Sequence, residues 1–280
     1  MLWNKRASVM LEGKNFLITG ASSGLGAALA IEIAKKKGYL TLCARRVELL
    51  KKLERSIVDR YPDAQVVICE CDVTDKNALH QAVELSVARF GGLDVFIANA
   101  GQSMWSRFSD IEDPDRLKEL MDLNYMGVVY SAFYALPYLR VSEGSFIAVS
   151  SVQGVIPVPY HSGYVAAKYA VNGFIETLSL EEPKVHFLLA LPAWISGTEL
   201  RSHALMGTKA SSIAVKHHHG RSAISAEQCA AEIIAALEQK KTQIFMPSFL
   251  GPVPLLRQLF RKTVDNIIQK KVSGQLKSGS

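Results

Sequence analysis

Short apolar runs alternate with longer amphipathic ones along this chain. "NFLIT" (15–19), "YLTLCA" (39–44), "QVVICE" (65–70), "LDVFIA" (93–98), "GSFIAVS" (144–150), "VHFLLAL" (185–191) and "TQIFM" (242–246) are short and β-rich, and they predict seven strands. The stretches between them predict helices from Leu25 to Lys37, around Val47–Arg60, from about Lys76 to Phe90, and near 115–139, 164–182 and 226–239. Strands alternating with helices imply a parallel sheet with helices on both faces. Near-continuous apolar strands fit a sheet covered on both sides. The predicted fold class is therefore α/β, doubly wound, in one Rossmann-type domain over residues 1–280. One long stretch, about 196–225, has no regular pattern and is expected to be a lid or substrate loop.

A second amphipathic pattern lies near the C-terminus, in "GPVPLLRQLFRKTVDNIIQKK" (251–271). Leu255, Leu256, Leu259, Phe260, Val264, Ile267 and Ile268 recur at three- and four-residue steps, which predicts one helix beginning after Pro254. Arg257, Arg261, Lys262, Lys270 and Lys271 mostly fill the rest of its circumference. The stripe has three possible covers: the protein's own substrate rim, a partner subunit, or an anionic bilayer surface.

Composition adds bounds. At 280 residues and 49% hydrophobic, the chain can build one sizeable core. A formal charge of +6 fits nucleic acid or a membrane surface, and equally a polyanionic cofactor with a basic tail. No zinc-finger, helix-turn-helix or long basic block favours nucleic acid. Of the four cysteines, Cys43, Cys69 and Cys71 fall in strand-like runs and lack zinc-knuckle spacing, and Cys229 stands apart. They read as small core residues in a reducing cytoplasm. The opening "MLWNKRASVM" does not read as a signal peptide, and no run reaches the ~20 apolar residues of a membrane span. The histidines of "KHHHG" (216–220) have no acidic or cysteine neighbour, so no metal is expected.

Candidate chemistry begins at "TGASSGLG" (19–26). Gly20, Gly24 and Gly26 follow a strand and open a helix. Such glycines permit a tight turn and a close approach of backbone to phosphate, with the helix N-terminus supplying free N–H groups. The next strand ends in "CARR" (43–46). Ala44 stands where a carboxylate would bind the ribose hydroxyls, and Arg45 and Arg46 follow. Guanidinium groups there pair with a 2′-phosphate, which favours NADP (NADPH) over NAD. Arg45 is expected to carry most of that pairing.

A third signal is "YHSGYVAAK" (160–168). Pro159 and Gly163 disfavour helix, and Val165 to Phe174 favours it. Tyr164 and Lys168 then lie about one turn apart on one face. A nearby ammonium lowers a phenol's pKa toward working pH and makes it a usable general acid or base.

With these motifs in order, the chain resembles a short-chain dehydrogenase/reductase over roughly residues 12–247. "TGASSGLG" has the family's TGxxxGxG spacing, including Ser22, Ser23 and Leu25. "CDV" places Asp72 and Val73 where the family binds adenine. "ANAG" resembles its NNAG turn, with Asn99, Ala100 and Gly101 in place and Ala98 for the first Asn. "LNYMG" supplies Asn124, "VSSVQG" supplies Ser151 thirteen residues before Tyr164, and Tyr164 and Lys168 match YxxxK.

The resemblance implies hydride transfer between a nicotinamide and a carbonyl or secondary alcohol. Tyr164 would exchange the proton, Lys168 would lower its pKa and hold the nicotinamide ribose, and Ser151 would orient the substrate oxygen. Asn124 would link Lys168 to solvent through a water. Pro192 and Ile195 would line the nicotinamide, Ile195 by its backbone. Tyr160, which has no lysine one turn on, is expected to wall the substrate pocket.

"PAWISGT" (192–198) departs from the family's P-G-x-V/I-x-T, with Ala193 for Gly and Thr198 one residue late. Trp194, Leu200 and Met206 are candidate apolar contacts. The implied substrate is a small apolar molecule, lipid- or steroid-like. The alternatives are a 3-oxoacyl thioester or a sugar, and a non-catalytic dinucleotide sensor on the same fold. The implied assembly is a homodimer or homotetramer, with peripheral membrane contact through the C-terminal helix as a further option.

Overall fold

The computed structural model describes residues 10–196, 204 and 223–277. Seven parallel strands form the main sheet: β1 (Asn15–Thr19), β2 (Tyr39–Ala44), β3 (Val66–Glu70), β4 (Val95–Ala98), β5 (Ser145–Val149), β6 (His186–Pro192) and β9 (Gln243–Met246), in the order β3-β2-β1-β4-β5-β6-β9. The order reverses between β1 and β4. In an open α/β sheet the ligand crevice lies at that switch point, beyond the carboxyl ends of the strands.

Alternation along the strands divides the core. Phe16, Ile18, Val95, Ile97, Ile147 and Leu188 face one layer, with α1 (Gly24–Lys35) and α7 (Ala226–Glu238) packed on it. Leu17, Phe96, Phe146 and Phe187 face the other, covered by α3 (Lys76–Phe90), α5 (Gly127–Ser142) and α6 (Ser162–Glu181). Phe96 and Phe146 stack at 5.4 Å across neighbouring strands. The charged helix α2 (Val47–Arg60) buries only Leu50 and Ile57 fully. This is the doubly wound Rossmann architecture expected from the sequence.

Four local expectations are corrected. The helix expected near 115–139 is two helices, α4 (Asp115–Met121) and α5, joined by a π-turn at Asp122–Met126 that contains Asn124. Helix α6 begins at Ser162 and includes Gly163, which the sequence placed outside it. A Cβ on Gly163 would lie 2.7 Å from Leu117, so the glycine lets α4 approach closely rather than breaking the helix. The stretch 196–225 is not irregular at its ends, because β7 (Trp194–Ser196) pairs in parallel with β8 (Ala223–Ser225). Thr198, Leu200, Met206 and 216–220 lie outside the described residues.

The C-terminal helix is also two helices. α8 (Val253–Leu259) ends at Phe260, whose ψ of 50° leaves the helical range, and α9 (Arg261–Lys277) follows. Arg257 on α8 donates to Asp265 on α9 at 2.7 and 3.4 Å, fastening the pair. Among the described residues, no helix is long and apolar enough to cross a membrane.

Candidate active site

The crevice at the switch point is a cavity of about 510 Å³. Its floor is the β1–α1 turn. Gly20 has φ +65°, and a Cβ there would sit 2.8 Å from Ala100 Cα. A Cβ on Gly26 would collide with the Gly20 carbonyl and lie 2.7 Å from the Asn99 amide. Both glycines therefore let backbone pass where any side chain would block it. Asn99 Nδ2 donates to Thr19 O at 3.0 Å and Gly20 O at 3.2 Å, and Thr19 Oγ1 accepts from Asn99 N and Ala100 N. The β4 turn is thus tied to the β1 turn. Ser23 caps α1 in an extended conformation without a side-chain bond to its N–H groups. Those N–H groups face the cavity as an anion cradle.

Two cations stand at one end of the cavity. Arg46 donates to Ser22 Oγ at 3.2 Å and Ser23 Oγ at 2.7 Å, so it leans over the cradle. Arg45 lies 3.6 Å from Asp72, whose other oxygen accepts from Thr74 N and Oγ1. The arginine read from sequence as secondary is the one bonded to the cradle serines. Leu25, Val73 and Gly101 line the same cavity.

At the other end stand Tyr164 and Lys168, both buried, and one turn apart on α6. Burial pushes the Tyr164 phenol up to about 12, and a hydrogen bond with Ser151 works against that rise. Burial also brings the Lys168 amine down to about 8. The expected lowering of the phenol by Lys168 is not what dominates. Lys168 Nζ donates to Val149 O at 2.9 Å and lies 5.7 Å from the Tyr164 ring centre. Desolvation of the phenol outweighs the Ser151 hydrogen bond.

Ser151 is buried at the same end of the cavity, hydrogen-bonded to the Tyr164 phenol, and is not itself among the residues that line the cavity. Its Oγ accepts from Gln153 N at 3.1 Å and donates to Pro192 O at 3.2 Å. Asn124 Nδ2 donates to Gln102 O at 3.0 Å and to Leu120 O at 3.0 Å, while its Oδ1 accepts from Gln102 N at 3.1 Å. The Asn124 amide on the π-turn reaches back to the Leu120 carbonyl one turn earlier. Asn124 thus fixes the 101–102 backbone beneath Lys168.

Pro192, Ile195 and Ala204 close the remaining wall. Sequence reasoning missed Gln102, Leu123, Cys71 and Ser150, which line the cavity as well. Ser150 Oγ is buried without a hydrogen-bond partner among the described residues. Tyr160 is not in this cavity. Its φ is +68°, it stacks on Trp105 at 5.7 Å, and it lines a second cavity of about 440 Å³. His161 meets Trp105 edge-on at 4.9 Å and faces Trp194 at 6.5 Å. This aromatic cluster comes from separate segments, with no spacing signal to reveal it. Among the described residues, no group of three or more His, Cys, Asp or Glu could hold a metal.

The match to known proteins agrees with this geometry. Residues 14–205 match the family described as short chain dehydrogenase. The chain belongs to the short chain dehydrogenase family. An "11-beta-hydroxysteroid dehydrogenase-like 2" of Arabidopsis thaliana is 31% identical over 263 residues, covering 91% of this chain and 80% of that protein. The "11-beta-hydroxysteroid dehydrogenase A" of Sesamum indicum is 40% identical over 185 residues. That alignment covers 65% of this chain and about half the length of the sesame relative, 53%. A Burkholderia phymatum short chain dehydrogenase/reductase solved in complex with NAD superposes with a TM-score of 0.81 at 21% identity, covering 91% of this chain and 96% of that one. An alcohol dehydrogenase of Thermococcus sibiricus complexed with 5-hydroxy-NADP gives 0.73 at 24% identity, covering 83% and 95%. At such identities these structures show the fold alone. Family membership makes nicotinamide-dependent oxidoreduction the chemistry to which the site is fitted.

Proposed function

We propose that this chain is an NADP-dependent oxidoreductase that interconverts a carbonyl and a secondary alcohol on an apolar, lipid- or steroid-like small molecule. The carrying observation is the placement of Tyr164, Lys168 and Ser151 at one end of a cavity whose other end is a glycine cradle with two arginines.

The residues present fit a dinucleotide. Gly20, Gly24 and Gly26 and the α1 N–H groups would take the pyrophosphate, and Asp72 and Val73 would flank adenine. Asn99, Ala100 and Gly101 would back the ribose chain. Pro192 and Ile195 would line the nicotinamide, Lys168 would hold the ribose hydroxyls, and Ser150 offers an unused hydroxyl nearby. Arg45 and Arg46 favour a 2′-phosphate and hence NADP. When bound, the nicotinamide supplies or accepts the hydride. Burial holds the Tyr164 phenol neutral across working pH, which suits it to donate a proton to a carbonyl oxygen. Ser151 orients that oxygen beside the phenol. Asn124 holds the floor beneath Lys168, where a relay water would connect Lys168 to solvent.

An apolar substrate is supported by the shelf of Trp105, Tyr160, His161 and Trp194, and by the names of the relatives. Exposed Phe133 and Val141 on α5 and Tyr169 and Leu180 on α6 offer a surface for a homodimer or homotetramer. Four free cysteines suit a reducing cytoplasm. The C-terminal helices offer the same molecule a peripheral membrane contact. The test is NADPH consumption with a panel of steroid, fatty-chain, sugar and 3-oxoacyl-thioester carbonyls. Turnover that rises with apolar size supports the reading. Preference for sugars or thioesters, or a lower Kd for NADH, overturns its substrate or cofactor part.

A further inference from the structure

Among the described residues, exposed large apolar side chains concentrate in one short segment. Phe249 is 63% exposed, Leu255 60%, Leu256 44%, Leu259 65%, Phe260 60% and Ile267 51%. Leu255, Leu256 and Leu259 share a face of α8 by helical spacing. Within 251–272 the sequence holds five basic residues and one acid, Asp265. That acid is already engaged by Arg257 at 2.7 Å and approached by Arg261 at 3.8 Å. Lys262, Lys270 and Lys271 are exposed and have no ion-pair partner among the described residues. The result is an apolar ridge with an uncompensated basic margin.

We propose that the α8 face and the head of α9 form a docking surface for an anionic lipid bilayer. Charge selects this occupant over a second copy. In a two-fold contact the same patch meets itself, so the basic margins carrying Arg261 and Lys262 would be brought together. A bilayer takes the leucines and Phe260 into its acyl boundary and places the margin against lipid phosphates.

Position adds a consequence. Ile268 and Gln269 of α9 line the second cavity together with Phe108, Pro157 and Tyr160. Phe108 is 70% exposed at its mouth. Tyr160 precedes Tyr164 by four residues, just before α6 begins. Docking therefore brings this groove close to the membrane, where an apolar substrate is dissolved. This last step rests on the substrate class proposed above, whereas the docking itself does not.

The experiment uses the full chain with phosphatidylcholine vesicles, with and without phosphatidylserine, at low and high salt. Wild type pellets with the anionic vesicles, and pelleting drops about tenfold or more on neutral vesicles or in high salt. Leu259→Glu/Phe260→Glu and Arg261→Glu/Lys262→Glu both lose pelleting, while their melting temperatures and NADPH binding stay at wild-type values. Equal pelleting by wild type and both variants overturns the assignment. So does absence of wild-type pelleting, and loss of oligomer on Leu259→Glu/Phe260→Glu would then give the face to a second copy. Pelleting without turnover of any carbonyl retains the docking surface and removes the oxidoreductase reading. Turnover without pelleting does the reverse.

Discussion

The crevice at the β1 and β4 turns and the second cavity at Tyr160 are built by different means. On the β1–β4 side, backbone meets backbone. Gly20 and Gly26 are required because a Cβ would strike Ala100 or Gly20 itself, and Asn99 ties two turns together through main-chain atoms. Around the second cavity the surface is made of side chains from separated segments, with Tyr160 stacked on Trp105 and followed by His161 and Trp194, and of α9, which one ion-pair cluster holds to α8. The first arrangement fixes an anion site whose chemistry is common to one cofactor class. The second can change its shape by substitution without disturbing the sheet. One side is therefore suited to invariant binding and the other to substrate choice.

Breaking the contrast at the meeting point gives the largest effect. Tyr164→Phe removes the proton donor and leaves the cradle intact, so kcat falls by about 10²–10⁴-fold while the NADPH Kd is unchanged. Near-native turnover in the variant would move the acid role to another group.

On the cofactor side, replacing Arg45 and Arg46 together by Ala weakens NADPH binding by about one to two orders of magnitude and NADH binding little, as fluorescence titration will read. Equal losses for both cofactors would make the pair structural. Gly26→Ala costs about 1–3 kcal/mol in denaturant unfolding, because the Gly20 carbonyl and the Asn99 amide bonded to it would both have to yield to the new methyl. Gly92→Ala, with nothing within 4 Å of its Cβ, is nearly neutral. Matching effects at the two glycines would dissolve the close-approach argument.

The smallest effect sharpens the electrostatics. The folded pKa of Lys168 lies at about 8, below its unfolded value of 10.5. Between those values the unfolded chain binds the extra proton, so stability from this group rises with pH and is lost as pH falls through 8. Compared with Lys168→Met, wild type gains about 1 kcal/mol between pH 8 and pH 9. A flat difference across that window would mean that the amine is not desolvated.

The same contrast explains what could be read in advance. Seven strands, their order of appearance and the cradle were legible because sheet burial and close backbone approach leave periodic and glycine signals. Asn99, Asn124, Tyr164 and Lys168 were legible through family spacing. The π-turn around Asn124 was not, since it depends on how one amide satisfies Leu120 and Gln102 at once. The break at Phe260 was hidden because the apolar spacing continues across it, and the Arg257–Asp265 contact that fastens the two helices leaves no periodic signal. Ser150 lacked a motif of its own. Gly163 misled because its role is packing against Leu117 rather than helix termination.

The account's central claim is hydride transfer to a substrate carbonyl with Tyr164 supplying the proton. It is tested most directly with NADPH deuterated at the transferring C4 position, an apolar ketone, and mass analysis of the product. The account predicts that wild type forms the alcohol with deuterium on the carbinol carbon, and that Tyr164→Phe forms almost none while still binding the cofactor. Failure of wild type to form labelled alcohol from any ketone, with NADPH demonstrably bound, would contradict it.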